Sequence, residues 1–251
     1  MKFAVLILFI AIKSMALLPA SPAIEAAFRA VVLLKIPGPT DDGSIVDGLC
    51  NGTLLSSSLL VTAAHCVANS TLGASGLMKI EVGEYQYRTR PDGTTYRTGY
   101  MTIVKHQTTV RAQFAAGISF DSPANHIAPE NDFVFVTLTT PLTLPADFTF
   151  PAMWSQSLQG QSLISPTVIS VNPIEYISSM DTRQGAVLNQ ISFAAHSAQS
   201  KSTSRVAAGD SGAPLFATIN GKMYLIGVTK GLASTAFSNY DVFALWAERG
   251  L

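Results

Sequence analysis

Charge is scarce in this chain. Only 13% of its 251 residues are charged, and 16 Lys+Arg balance 16 Asp+Glu, where soluble domains carry roughly a quarter. Without a positive excess there is no electrostatic basis for a nucleic-acid or anionic-membrane partner. Cysteine is scarcer still, with Cys50 and Cys66 alone. His106, His126 and His196 have no cysteine or carboxylate at ligand spacing, which argues against a metal site and for surface or cleft-rim roles. No cofactor is called for. Beyond the N-terminus no uninterrupted apolar run reaches transmembrane length, and there is no internal repeat, heptad pattern or low-complexity tract.

What is present begins with an export signal. A basic start, Met1-Lys2, leads into the apolar run Phe3–Ile12, which Lys13 interrupts before it could span a bilayer. Small residues then stand at signal-peptidase spacing, giving cuts after Ala16 or after Ala23. Residues 1–23 are therefore expected to be a signal peptide and the protein to be secreted. An even cysteine count suits an oxidising compartment. The rest alternates short β-branched and aromatic runs with Gly, Pro, Asn and Ser punctuation, an all-β pattern. The clearest strands are 30–35, 79–85, 96–104, 133–138, 187–193, 214–219 and 223–229. Residues 37–43 and 90–93 carry turn chemistry, 63–68 read as one helical turn, and 108–131 read as a surface excursion with little strand character. Asn51-Gly-Thr and Asn69-Ser-Thr are glycosylation sequons; Asn69 is the better candidate, since Asn51 follows a cysteine in a strand.

The chemistry concentrates in three segments. Ala208-Gly-Asp-Ser-Gly-Ala-Pro-Leu215 sets Ser211 in a sharp turn, with glycines at 209 and 212 leaving little bulk around its hydroxyl. The N–H groups of Gly209 and Ser211 are candidates to hold an oxyanion. A hydroxyl needs a base and a group that orients the base. Leu60-Val-Thr-Ala-Ala-His-Cys66 offers His65, and Glu130-Asn-Asp-Phe-Val-Phe-Val-Thr-Leu138 offers Asp132. Singly, His65 reads as well as a core histidine, Asp132 as a cap and Ser211 as a turn residue. Together and in order they carry more weight.

These segments resemble the chymotrypsin-like (trypsin-fold) serine peptidases, whose motifs read T-A-A-H-C, N-D-I-x-L-L-x-L and G-D-S-G-G-P in the same order. Leu49-Cys-Asn-Gly-Thr-Leu-Leu, Lys79-Ile-Glu-Val-Gly-Glu-Tyr and Ile226-Gly-Val-Thr-Lys-Gly231 are similar to further strands of that family, so the resemblance covers about residues 28 to 247. It implies two six-stranded antiparallel barrels, about 28–140 and about 155–247, within a peptidase domain 24–251. Residues 141–151 would cross between them, with the active site in the cleft. His65 and Asp132 would come from the first barrel and Ser211 from the second. Peptide-bond hydrolysis would proceed through an acyl-enzyme, and the oxyanion hole would be Gly209 and Ser211. The Thr229 hydroxyl would bond Asp132. Main-chain groups of Thr229, Lys230 and Gly231 would pair with an extended polypeptide substrate, and protein inhibitors would use the same cleft. Cys50 and Cys66 would form the disulfide beside the histidine. A monomer is expected.

Departures from the family pattern sharpen other expectations. Ala213 replaces a glycine, and Ala207 stands where a pocket cysteine is usual. No Arg/Lys-Ile-Val-Gly-Gly sequence precedes the first strand. In the family a new N-terminus pairs with the aspartate before the nucleophile, here Asp210, and a cut after Ala23 would expose Ile24 for that role. By the same resemblance Arg205 would fall at the floor of the primary pocket and Asp241 on the segment that lines it. Paired, they would cancel and favour small or medium uncharged residues before the cut; either one turned outward would leave the other to select charge. A protease-like binding protein or pseudoenzyme is the alternative to an active endopeptidase.

Overall fold

The computed structural model describes residues 29–40, 42–74, 76–89, 91, 95–159, 161–171, 183–188, 191–193, 196–200, 209–234 and 239–246. Fourteen strands and a few helical turns make up its regular structure. The first half holds β1 (Val31–Pro39), β2 (Ile45–Ser56), β3 (Leu59–Thr62), the single helical turn α1 (Ala64–Val67), β4 (Met78–Thr89), β5 (Thr95–Thr108), β6 (Val110–Phe114) and β7 (Val134–Leu138). The second holds β8 (Ile164–Val171), β9 (Arg183–Val187), β10 (Ile191–Phe193), β11 (Ser197–Ser200), β12 (Pro214–Ile219), β13 (Lys222–Ser234) and β14 (Asn239–Leu245). Short 3-10 turns occur at Thr71–Ala74, Ala124–His126 and Pro129–Asn131.

Two antiparallel sheets result, ordered β5-β4-β1-β2-β3-β7-β6 and β10-β11-β14-β13-β12-β8-β9. Each has seven strands rather than the six expected, and the chain explains why. The edge strands of the first sheet, β5 and β6, are separated by Thr109 alone. Those of the second, β9 and β10, end at Val187 and begin at Ile191. A few residues span only on the order of 10 Å, so the two edges of each sheet must meet and the sheet must curl on itself. One chain run thus contributes to both edges of each sheet, and six runs give seven ladder segments.

Residues 108–131 depart from expectation in the same way. Val110, Ala112 and Phe114 turn inward while Arg111 and Gln113 face water, a period-two pattern. The strand is only five residues long and its central inward residue is the small Ala112, so the alternation is faint in the sequence. The turn expected at 37–43 is shorter than that, because β1 continues through Pro39 opposite Ile45. Its prolines are tolerated where β1 has only β2 beside it, since β4 pairs no further than Lys35.

The apolar run Val31-Val-Leu-Leu34 is buried on both faces. Val32 and Leu34 join Leu54, Leu60, Val134 and Val136 inside the first barrel. Val31 and Leu33 point the other way, with Phe133, Phe135, Phe216, Leu225, Val228 and Trp246, into a core shared by both halves. The Trp246 ring lies 6.1 Å from both Phe133 and Phe135, and its Nε1–H donates to Trp154 O at 3.1 Å. The second barrel is filled by Val168, Leu215, Ile219, Ile226, Phe243 and Leu245. Phe133, the residue after Asp132, is thus fixed in the seam between the barrels.

Candidate active site

His65 stands on α1, which follows directly from β3. Ala63 and Ala64 are fully buried, so the turn sits flush on the first barrel. Cys66 is joined to Cys50 of β2 in a disulfide, with their Cα atoms 6.3 Å apart. Closing a loop of about fifteen residues stabilises by roughly 3 kcal/mol on the chain-entropy model. Cys50, His65 and Cys66 bring ligand-type atoms within 4.8 Å of one another. The two sulfurs are bonded to each other, however, and neither has a lone thiolate for a metal.

Asp132 caps the 3-10 turn Pro129–Asn131, with its N–H directed to Pro129 O at 3.3 Å. Its side chain is fully buried. Oδ1 accepts the His65 backbone N–H at 2.8 Å, and Oδ2 lies 2.8 Å from His65 Nδ1. A carboxylate there holds the ring proton on Nδ1 and leaves Nε2 as the basic nitrogen. Burial pushes the Asp132 carboxyl up, but the hydrogen bond and charge of His65 and the charge of Lys230 outweigh it. The group is held below the ordinary aspartate range.

Ser211 lies in the turn that enters β12. Gly212 has φ +78, and a Cβ there would stand 2.2 Å from both Asn51 O and Thr62 Oγ1, so glycine alone fits. Four bonds from outside hold the turn. Asn51 N–H donates to Ser211 O at 2.7 Å, and Asn51 Nδ2 to Gly209 O at 2.7 Å. Gly212 N–H donates to Thr229 O and Thr229 N–H to Ala213 O, both at 2.8 Å. The N–H groups of Gly209 and Ser211 donate to none of the described residues, the condition required of oxyanion donors. Ser211 Oγ makes a long bond of 3.4 Å to Lys230 O. Among the described residues no hydrogen bond joins it to His65 Nε2.

The other anticipated residues fall out unevenly. Thr229, Lys230 and Gly231 lie together on β13. The Thr229 hydroxyl does not bond Asp132: it is buried and makes no hydrogen bond among the described residues. The second donor to Asp132 Oδ2 is instead Lys230 Nζ, at 3.0 Å. Asp210 is buried beside Ser211. Asp241 is buried on β14 opposite Leu232 and Ser200, whereas Arg205 and Ile24 lie outside the described residues. The expected Arg205–Asp241 pair and the Ile24 contact therefore lie outside the described residues. Asn69 is exposed, in a turn with φ +53. Asn51 is fully buried with its amide bonded to Gly209, which leaves no room for a glycan on the folded chain.

Sequence reasoning missed two residues. Asn51 looked like a sequon, and its role is visible only when β2 is laid beside the Ser211 turn. Lys230 was considered for its main chain, although a lysine within the apolar run Ile226–Leu232 was itself a signal.

Over 111 residues the chain is 33% identical to the Spaetzle-processing enzyme of Drosophila melanogaster, a match covering 39% of this chain and 27% of that protein. The chain thus spans about a quarter of that relative's length. The family described as Trypsin matches residues 22–247, nearly the whole chain and both barrels with the cleft segments of each. The likeness therefore extends well beyond the three motifs, and this protein belongs to the trypsin family of peptidases.

Proposed function

We propose that the chain is a secreted serine-type endopeptidase that hydrolyses peptide bonds through an acyl-enzyme on Ser211. One observation carries the reading: a fully buried Asp132 carboxylate engages both the backbone N–H and Nδ1 of His65. That arrangement presents Nε2 as a base. Ser211 Oγ turns from Lys230 O toward His65, loses its proton to Nε2 and attacks the substrate carbonyl. His65 then returns the proton to the departing amine, and Asp132 stabilises the charged ring between these steps. The uncommitted N–H groups of Gly209 and Ser211 receive the oxyanion; losing one such donor typically costs about 10²–10³ in rate. The substrate pairs as an extended strand with the main chain of Thr229–Gly231. Arg205 and Asp241 cancel at the pocket, favouring uncharged residues before the cut. The relative's name speaks of processing, so limited cleavage of a protein substrate is the activity to examine first.

The bond from Ser211 Oγ to Lys230 O rather than to His65 favours a second reading, a protease-like binding protein. Loose catalytic hydrogen bonds are common in unliganded sites, which keeps the enzyme reading ahead. Labelling with a fluorophosphonate decides between them. The secreted protein is expected to react and to cleave peptides, and Ser211→Ala to lose both while remaining folded. Labelling of wild type and S211A alike, or of neither, would overturn the assignment.

A further inference from the structure

Lys230 bonds to both halves of the site. Its carbonyl accepts the Ser211 hydroxyl at 3.4 Å, while its ammonium reaches the first barrel, donating to Ile127 O at 2.7 Å and Asp132 Oδ2 at 3.0 Å. The backbone explains that reach. Thr229 lies opposite Phe243 and Gly231 opposite Val242, so Lys230 is the extra residue of a β-bulge. Bulges re-aim a side chain away from the regular pleat. Three quarters of the lysine side chain is covered, at 25% exposure, and Asp132 is covered completely. Water screens this pair far less than it would a surface ion pair. The neighbouring hydroxyl of Thr229 makes no bond among the described residues, which leaves the lysine as the carboxylate's second donor.

Asp132 Oδ2 accepts from both Lys230 Nζ and His65 Nδ1. A carboxylate favours a charged imidazole beside it; a fixed cation on the same oxygen opposes that charge. Other titratable groups stand on the surrounding elements: His126 and Glu130 on the two 3-10 turns, Asp210 beside Ser211, and Asp241 on β14. Among the described residues the bonding partners of the Asp132 carboxylate are His65 and Lys230. We infer that Lys230 is a positioning residue, a built-in cation that orients Asp132 from across the cleft and restrains proton uptake by His65. This rests on reading His65 as the base of a peptidase and Asp132 as the carboxylate that orients it.

An NMR pH titration of the His65 ring tests it, in the wild-type chain and in Lys230→Met and Lys230→Gln, with fluorophosphonate labelling followed over the same range. Both variants are expected to move the ring's midpoint upward by about one pH unit. Labelling in mild acid, relative to its alkaline plateau, is expected to fall about tenfold. Lys222→Met, at the far end of β13, is expected to leave the midpoint in place; an equal shift there would make the effect one of net charge and overturn the proposal. K230Q keeps an N–H donor and most of the side-chain length, so it carries the comparison should K230M fail to fold. An unchanged midpoint in folded K230Q would overturn the role of the cation, including the case where K230M alone shifts. Wild type that never reacts with the fluorophosphonate would sink the peptidase reading instead, while the ring titration still judges Lys230.

Discussion

The two halves of the site are held in opposite ways. On the first barrel, His65 sits on a turn locked by the Cys50–Cys66 disulfide, and Asp132 is anchored by Phe133 in the seam. The Asp132 carboxylate meets His65 there through two bonds of 2.8 Å, one to its backbone N–H and one to its ring. On the second barrel, Ser211 lies in a turn with no cysteine, and among the described residues its hydroxyl makes one long bond. What fixes that turn comes from outside it: Asn51 of β2, on the opposite barrel, and Thr229 of β13. The His65–Asp132 pair is built in by covalent and buried contacts, whereas the Ser211 turn is held by its neighbours. Damage to the first half should therefore show as lost stability, and damage to the second as lost catalytic geometry.

The strongest way to break the contrast is Gly212→Ala. The new Cβ would meet Asn51 O and Thr62 Oγ1 at 2.2 Å, on a backbone with φ +78. Backbone cannot yield as a flexible side chain would, and strain of several kcal/mol is expected. Turnover should be lost although the first barrel still folds; full activity in G212A would show that the turn is not held against β2. Replacing Cys50 and Cys66 together by serine comes next. It should lower the unfolding free energy by about 3 kcal/mol in urea titrations while leaving much of the turnover of the folded fraction. Turnover falling more than stability would reverse the division of labour. Asn51→Ala is smaller again. It removes the amide bond to Gly209 O and costs about 1 kcal/mol of stability. A fall in kcat of about tenfold is expected with KM little changed, a fraction of what removing an oxyanion donor costs. A change confined to KM would show that Asn51 serves substrate binding instead.

How much could be read from the chain follows the same division. His65, Asp132 and Ser211 each lie within a short segment that resembles a family motif, the disulfide was implied by the same resemblance, and β12 was bounded to the residue at Pro214–Ile219. Barrel closure was harder to see, because a bent strand reads as one run in sequence and pairs at two edges in space. The run 187–193 accordingly divides between β9 and β10. Asn51 and Lys230 act across the cleft on partners 158 and 98 residues away. No local pattern encodes a contact of that range. Thr229 is the instructive error: an aligned hydroxyl was expected to serve Asp132, but the bulge at the next residue brings a longer and charged side chain to the same oxygen.

That substitution of one donor for another yields the smallest effect. Thr229 Oγ1 is buried and makes no hydrogen bond among the described residues, while Lys230 occupies Asp132 Oδ2. A buried hydroxyl without a partner carries its desolvation cost without compensation. Valine has nearly the same shape and no polar atom, so Thr229→Val should relieve that cost. A gain of up to about 1 kcal/mol is expected, read as a higher midpoint in urea. The β13–β14 ladder uses the backbone of residue 229 and should be undisturbed, because valine suits a strand at least as well as threonine does. Had the hydroxyl been the carboxylate's donor, T229V would lose a charge-assisted bond and the midpoint would fall, together with turnover. The sign of this one shift therefore reports which of two adjacent residues holds the aspartate.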